Sequence, residues 1–166
     1  MGASAKKQRL LQLHAPQGQP SRDKDGSQSC EGEAGGALMK DAITLSALPA
    51  LGAPLDTGIF AGITTAKDGT HHAVVLLPGN GTMLSWKNAL QWAKDQGGDL
   101  PTRPVAAMLF ANVKSALPES GWHWTNEAYD ASYAWGYLFI TDYQLITHKS
   151  YVGNAIAVRL IPLEAA

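Results

Sequence analysis

The sequence predicts an α+β domain: an early β-hairpin, two consecutive amphipathic helices, and three or four short strands toward the C-terminus. Three observations carry that reading. Apolar runs at residues 59–65 and 71–77 flank Lys67-Asp68-Gly69, and Asp-Gly is a favoured tight-turn pair. Apolar residues recur at helical spacing after Ser85 and again after Thr102, both good N-cap types. After Pro118 the pattern shortens to strand-like segments.

Taken in order, residues 1–40 hold no aromatic side chain and are rich in Gln, Ser, Gly and charge. Such a segment cannot bury enough apolar surface to offset its ordering entropy, so a polar tail is expected, ordered only by a partner. Leu10, Leu11 and Leu13 would be the docking side of any short helix in it. Residues 41–57 turn apolar and small, but Pro49, Gly52 and Pro54 preclude a long helix. They read as an extended connector whose leucines pack on the domain or on a neighbouring subunit. The folded domain is expected over 58–166.

Within it, Pro78-Gly79-Asn80-Gly81 ends the second hairpin strand. A first helix should run from Ser85 to about Gln96, with Trp86, Ala89, Leu90 and Ala93 inward and Gly97-Gly98 as its stop. Thr102 should cap a second, with Pro104 in its first turn and Val105, Leu109 and Val113 buried. Strands are expected at 122–126, 134–140, 144–147 and 155–161, the last with Ile156, Val158 and Leu160 on one face.

Charge and cysteine content remove several classes of function. The formal charge is −1, and residues 41–166 carry seven Lys/Arg against ten Asp/Glu, so no basic face for nucleic acid is expected. Cys30 is the single cysteine, which excludes an intrachain disulfide and a cysteine-based zinc cage. No stretch approaches the roughly 20 apolar residues of a membrane span. The run Leu10-Leu11-Gln12-Leu13 is too short for a signal sequence, and Lys6 breaks the myristoylation pattern after Gly2. No export signal is therefore expected.

The aromatic residues are concentrated: twelve of thirteen lie between Trp86 and Tyr151. The order of motifs there is distinctive. A Trp/Ala helix ends in Gly97-Gly98-Asp99-Leu100-Pro101-Thr102-Arg103; Leu109-Phe110-Ala111-Asn112-Val113-Lys114 follows. Then come Trp122-His123-Trp124-Thr125-Asn126-Glu127, Tyr133-Ala134-Trp135 and a closing Ala157-Val158-Arg159. Over roughly residues 58–163 this resembles the family typified by the C-terminal domain of bacterial collagen-like adhesins, common also in prophage-borne proteins. The resemblance implies a C-type-lectin-like fold: two helices packed on a mixed, mainly antiparallel sheet with an irregular C-terminal strand-and-loop face. It also implies ligand binding by an oligomer, here a homo-oligomer, and a host-surface glycan or protein as partner. Joined to the missing export signal, it suggests a phage tail-fibre or receptor-binding component, found on the virion or in the bacterial cytoplasm before assembly. The alternative is a structural virion or complex subunit, with residues 1–55 threading into neighbouring subunits and the domain packing or decorating the exterior.

The ligand-binding candidates lie between residues 126 and 154. Tyr129, Tyr133, Tyr137, Tyr143 and Tyr151 sit among polar residues, and binding surfaces favour Tyr for its large contact area at low entropy cost. Asn126, Asp130, Asp142, His148 and Asn154 complete the set as polar contacts. Trp86, Trp122 and Trp135 are expected to pack, with Trp122 and Trp124 on one inward face. Arg103 and Arg159 are expected to hold carboxylates or backbone carbonyls as structural forks.

Neither a metal nor a cofactor is expected. Glu127, Asp130 and Asp142 with Asn126 and Asn154 are oxygen donors of the kind calcium recruits. The Glu-Pro-Asn, Gln-Pro-Asp and Trp-Asn-Asp signatures of calcium-dependent sugar-binding lectins are absent, so hydrogen-bonded carboxylates are the preferred reading. His71 and His72 alternate across a strand and cannot easily share an ion. A catalytic role is not expected either. The formylglycine-generating enzymes share the broad lectin-like fold but use a thiol pair, and Ser85, Ser120, Ser132 and Ser150 lie in no nucleophile-elbow context.

Overall fold

The computed structural model describes residues 42–164. The expectations for residues 1–40, including Cys30 and the docking leucines Leu10, Leu11 and Leu13, lie outside the described residues. Two curled sheets and two short helices make up the fold. The strands are β1 (Pro54–Leu55), β2 (Gly58–Thr65), β3 (His71–Leu76), β4 (Gly81–Leu84), β5 (His123–Ala128), β6 (Tyr133–Leu138), β7 (Tyr143–His148), β8 (Gly153–Ala155) and β9 (Val158–Pro162). The helices are α1 (Trp86–Asp95) and α2 (Arg103–Val113). One sheet has the order β1-β2-β3-β9, antiparallel throughout. The other has the order β4-β8-β5-β6-β7, antiparallel except where β5 meets β8.

The hairpin forms as its turn chemistry dictates. Gly69 takes φ 86°, and the Asp68 carboxylate accepts from the Thr70 amide and hydroxyl, locking the bend between β2 and β3. β3 then lies between β2 and β9 with both faces covered, which is why it reads as an unbroken apolar run. Ala73, Val75 and Leu77 join a core with Ala89 and Ala93 of α1, Phe60, Leu100 and Trp124. Val74 and Leu76 point the other way, into a core with Val105, Leu109 and Val113 of α2, Tyr137, Phe139 and Ile156. Each such fully buried Val or Leu side chain contributes roughly 1.5–3 kcal/mol of burial free energy.

Helix ends follow their sequence signals. Gly97, at φ 82°, and Gly98 return amide bonds to Lys94 and Ala93, a Schellman stop for α1. The Thr102 hydroxyl accepts from the Val105 amide at the start of α2. Trp122 and Trp124 meet edge to face at 4.5 Å, and Trp124 is fully buried. Residues 42–57 run along the domain: Ile43 bridges Leu163, β1 pairs with β2, and Ile43, Leu48 and Leu55 pack on the first core.

The expectation of an α+β, C-type-lectin-like domain is corrected by this architecture. The described chain is mostly β, with four- and five-stranded curled sheets, and its helices span only ten and eleven residues. Three strands were hidden in segments too short for any periodicity to show, namely β1, β4 and β8. The expected single strand at 155–161 is split, because the chain leaves β8 in one sheet and enters β9 in the other at Ile156-Ala157. Leu160 is exposed, while Ile156 and Val158 are buried. Among the described residues no helix is long and apolar enough to cross a membrane.

Candidate binding face

The three-stranded meander β5-β6-β7 carries the aromatic cluster. Along β6, Tyr133, Trp135 and Tyr137 share one face by the strand period, opposite His148, Ile146 and Gln144 of β7. The two ends of that face differ. At the Tyr137 end, Phe139 and the α2 core close over the rings, leaving Tyr137 fully buried. At the Tyr133 end nothing in the described chain covers them. Tyr133 is 42% exposed, Ile146 41%, and the adjoining Tyr129 and Tyr151 56% and 63%.

These rings contact one another. Tyr129 stands edge-on to Trp135 with centroids 5.7 Å apart; Tyr133 stands edge-on to His148 at 5.3 Å; and His148 lies 6.1 Å from Tyr151. Aromatic pairs in this range contribute about 0.5–1.5 kcal/mol beyond burial, enough to bias their orientations before any partner arrives.

The loops are held as well. The Asp130 carboxylate accepts from the Ser132 and Tyr133 amides, both at 2.7 Å, and the Tyr129 and Asp130 amides donate to the Tyr133 carbonyl. Lys149 donates through Nζ to the Asp130 and Ala131 carbonyls and sits over the Trp86 ring. The turn after β7 is closed by a bond from the Tyr151 amide to the His148 carbonyl.

A bulge in β5 sets the edge of the face. Trp124 pairs with Gly136 and Ala128 with Ala134, so Thr125, Asn126 and Glu127 lie opposite Trp135 alone. The displaced chain brings the Glu127 carboxylate to the Arg103 amide at 2.8 Å, while the Asn126 amide donates to the Pro101 carbonyl. Arg103, half-buried at the first turn of α2, then extends over Trp135 with its guanidinium carbon 3.7 Å from the ring centroid. Its Nε donates to Gln144 Oε1 at 2.6 Å.

Of the sequence candidates, the fold brings Tyr129, Tyr133, His148 and Tyr151 together, with Asp130 as the brace beneath them. Tyr137 is a correction: it is a core residue, because the α2 cluster covers its end of the strand. Its hydroxyl donates to Asp142, which holds a turn position at φ 57° beyond β6. Tyr143 is exposed but lies on the opposite face, paired with Leu138. Asn126 is carried off the face by the bulge. Asn154 sits in β8, where its amide donates to the Trp122 carbonyl. Trp135, Ile146 and Arg103 are members that sequence reasoning missed, although the two-residue spacing from Tyr133 to Trp135 signals a shared face. Arg159 does act as the expected fork, donating to Asp56 and to the Gly97 carbonyl.

The exposed side chains of this face are three phenols and one isoleucine, beside the half-buried His148 imidazole. Ser150 Oγ and its amide both approach His148 Nδ1, a turn-local arrangement, and among the described residues no carboxylate orients the other ring nitrogen. A cleft of about 610 Å³ elsewhere, bounded by Thr57, Asn80, Ser115 and Ile156, has no titratable side chain in its lining. No protein-family model matches the chain, and no curated protein is similar to it at a significant level.

Proposed function

We propose that this domain is a non-catalytic recognition module that engages a surface glycan or protein through Tyr129, Tyr133, Trp135, Ile146, His148 and Tyr151. One observation carries the reading: Tyr129, Tyr133 and Tyr151 stand in solvent on a braced meander, whereas Trp124 and Tyr137 of the same meander are buried. Rigid, exposed Tyr side chains supply contact area at small entropic cost. Display in several copies on a phage particle or adhesin, as the order of sequence motifs suggests, would multiply weak single-site contacts. To test it, Tyr129→Ala and Tyr133→Ala are combined and the folded protein is assayed for glycan-array binding and adsorption to bacterial cells. Loss of binding is expected; a double variant that binds like the parent removes this face from consideration.

A second reading, subunit packing, is favoured by an open apolar depression of about 540 Å³ lined by Leu45, Ile63, His71 and Leu163. Leu45 and Ile63 are 59% and 40% exposed there. Substituting Ile63→Glu and following oligomer size by light scattering separates the two: assembly falls if this surface is an interface, and is unchanged if it is not.

A further inference from the structure

The open face carries one cation whose bonding capacity is unspent. A guanidinium has five N–H donors. Arg103 uses its Nε on Gln144, and its terminal nitrogens make no hydrogen bond or ion pair among the described residues. The Glu127 carboxylate, drawn to the same corner, accepts through Oε1 from the Arg103 amide, and no ion pair joins it to the guanidinium. Trp135 beneath and Gln144 beside it fix the guanidinium's position, so the free end is a fork already aimed. Such a fork matches a carboxylate bidentately.

Two more observations narrow the class. Lys149, the other cation near these rings, is engaged with the Asp130 and Ala131 carbonyls and with Trp86. Arg103 is therefore the cation of this face with donors to spare, and its fork suits a carboxylate held singly. From Trp135 toward the open end of the face stand Tyr129, Tyr133 and Tyr151, each more than two-fifths exposed. Their flat faces suit the C–H faces of pyranose rings, and their hydroxyls, with the His148 ring, suit sugar hydroxyls.

We infer that the occupant of this face is a uronic-acid-bearing polysaccharide, its sugar rings lying on the exposed tyrosines and one carboxylate held by Arg103. This deepens the proposed recognition role and rests on it. An acidic peptide offers the same charge but no pyranose faces for the rings.

The experiment uses the full chain in calorimetric titration with hexamers of galacturonate, glucuronate and mannuronate. Their carboxyl-reduced neutral counterparts and hexaglutamate serve as comparison probes. At least one uronate hexamer is expected to bind saturably and at least tenfold more tightly than its neutral counterpart. Arg103→Gln should erase that difference, Arg103→Lys should restore part of it, and Tyr133→Ala should weaken the acidic and the neutral hexamer alike. Far-ultraviolet dichroism confirms folding, and Arg103→Lys keeps the charge where the Gln variant is unstable. Equal affinity for acidic and neutral hexamers, still dependent on Tyr133, overturns the carboxylate inference and leaves the face intact. Uronate binding indifferent to Tyr133 overturns the face itself. Hexaglutamate bound through Arg103 as tightly as any uronate assigns a peptide instead, and no saturable uronate binding at all overturns the inference.

Discussion

Mild acid should destabilise this domain through His123. The ring is fully buried at the start of β5, 5.2 Å from Phe139, and its Nδ1 has no hydrogen-bond partner. Burial lowers its pKa from 6.5 to about 4, with the neighbouring Gly121 backbone opposing the shift only in part. The unfolded chain thus takes up a proton near pH 6.5 while the folded protein refuses it until about pH 4. Stability from this group is full above pH 6.5 and is lost as the pH falls toward 4. The difference between 6.5 and about 4, at roughly 1.36 kcal/mol per pH unit, amounts to about 3 kcal/mol. Urea unfolding at intervals from pH 7.5 to 4.2 measures it directly. The parent should lose about 3 kcal/mol over that range, and His123→Phe, which extends the contact with Phe139, should show a much flatter profile. Asp56 acts in a separate window. Burial pushes its carboxyl up, but bonds from Thr57 and Arg159 outweigh this, and the net lowering matters only below its ordinary value of 3.8. A His123→Phe profile as steep as the parent's would refute the argument.

Three further perturbations probe the framework. Trp122 lies over Gly153, where a Cβ would come within 2.5 Å of its ring, so Gly153→Ala should cost about 1–3 kcal/mol in urea unfolding. Thr102→Ala removes the α2 cap and should cost about 1 kcal/mol by the same measurement, with Thr102→Ser recovering most of it. Asp130→Ala frees the Ser132 and Tyr133 amides, and their hydrogen exchange should quicken while that of β3 amides is unchanged.

Local signals were legible where one residue's chemistry decides. Lys67-Asp68-Gly69, Gly97-Gly98 and Thr102 each impose a backbone geometry, and each sits where the sequence places it. The inward pairing of Trp122 with Trp124 belongs with them. The architecture was not legible, because β1, β4 and β8 owe their existence to neighbours remote in sequence and are too short to alternate. The site divides on the same line. Spacing along β6 shows that Tyr133 and Tyr137 share a face, but only the placement of α2 reveals that one is open and the other sealed. The bulge that removes Asn126 and delivers Glu127 to α2 left no mark in the sequence, and Arg103 lies 32 positions from the Trp135 it covers (135 − 103).

The parallel contact between Ile43 and Leu163 has a mechanical meaning. Two bonds hold it, from the Ile43 amide to the Pro162 carbonyl and from the Glu164 amide to the Ile43 carbonyl, each 3.0 Å. Because the strands run the same way, tension applied through the two flanks of the domain pulls them past each other lengthwise. Both bonds then bear load together and must rupture as a pair before the sheet behind them is strained. At this contact a pull along the chain meets two bonds at once, where a sideways peel would meet them one at a time.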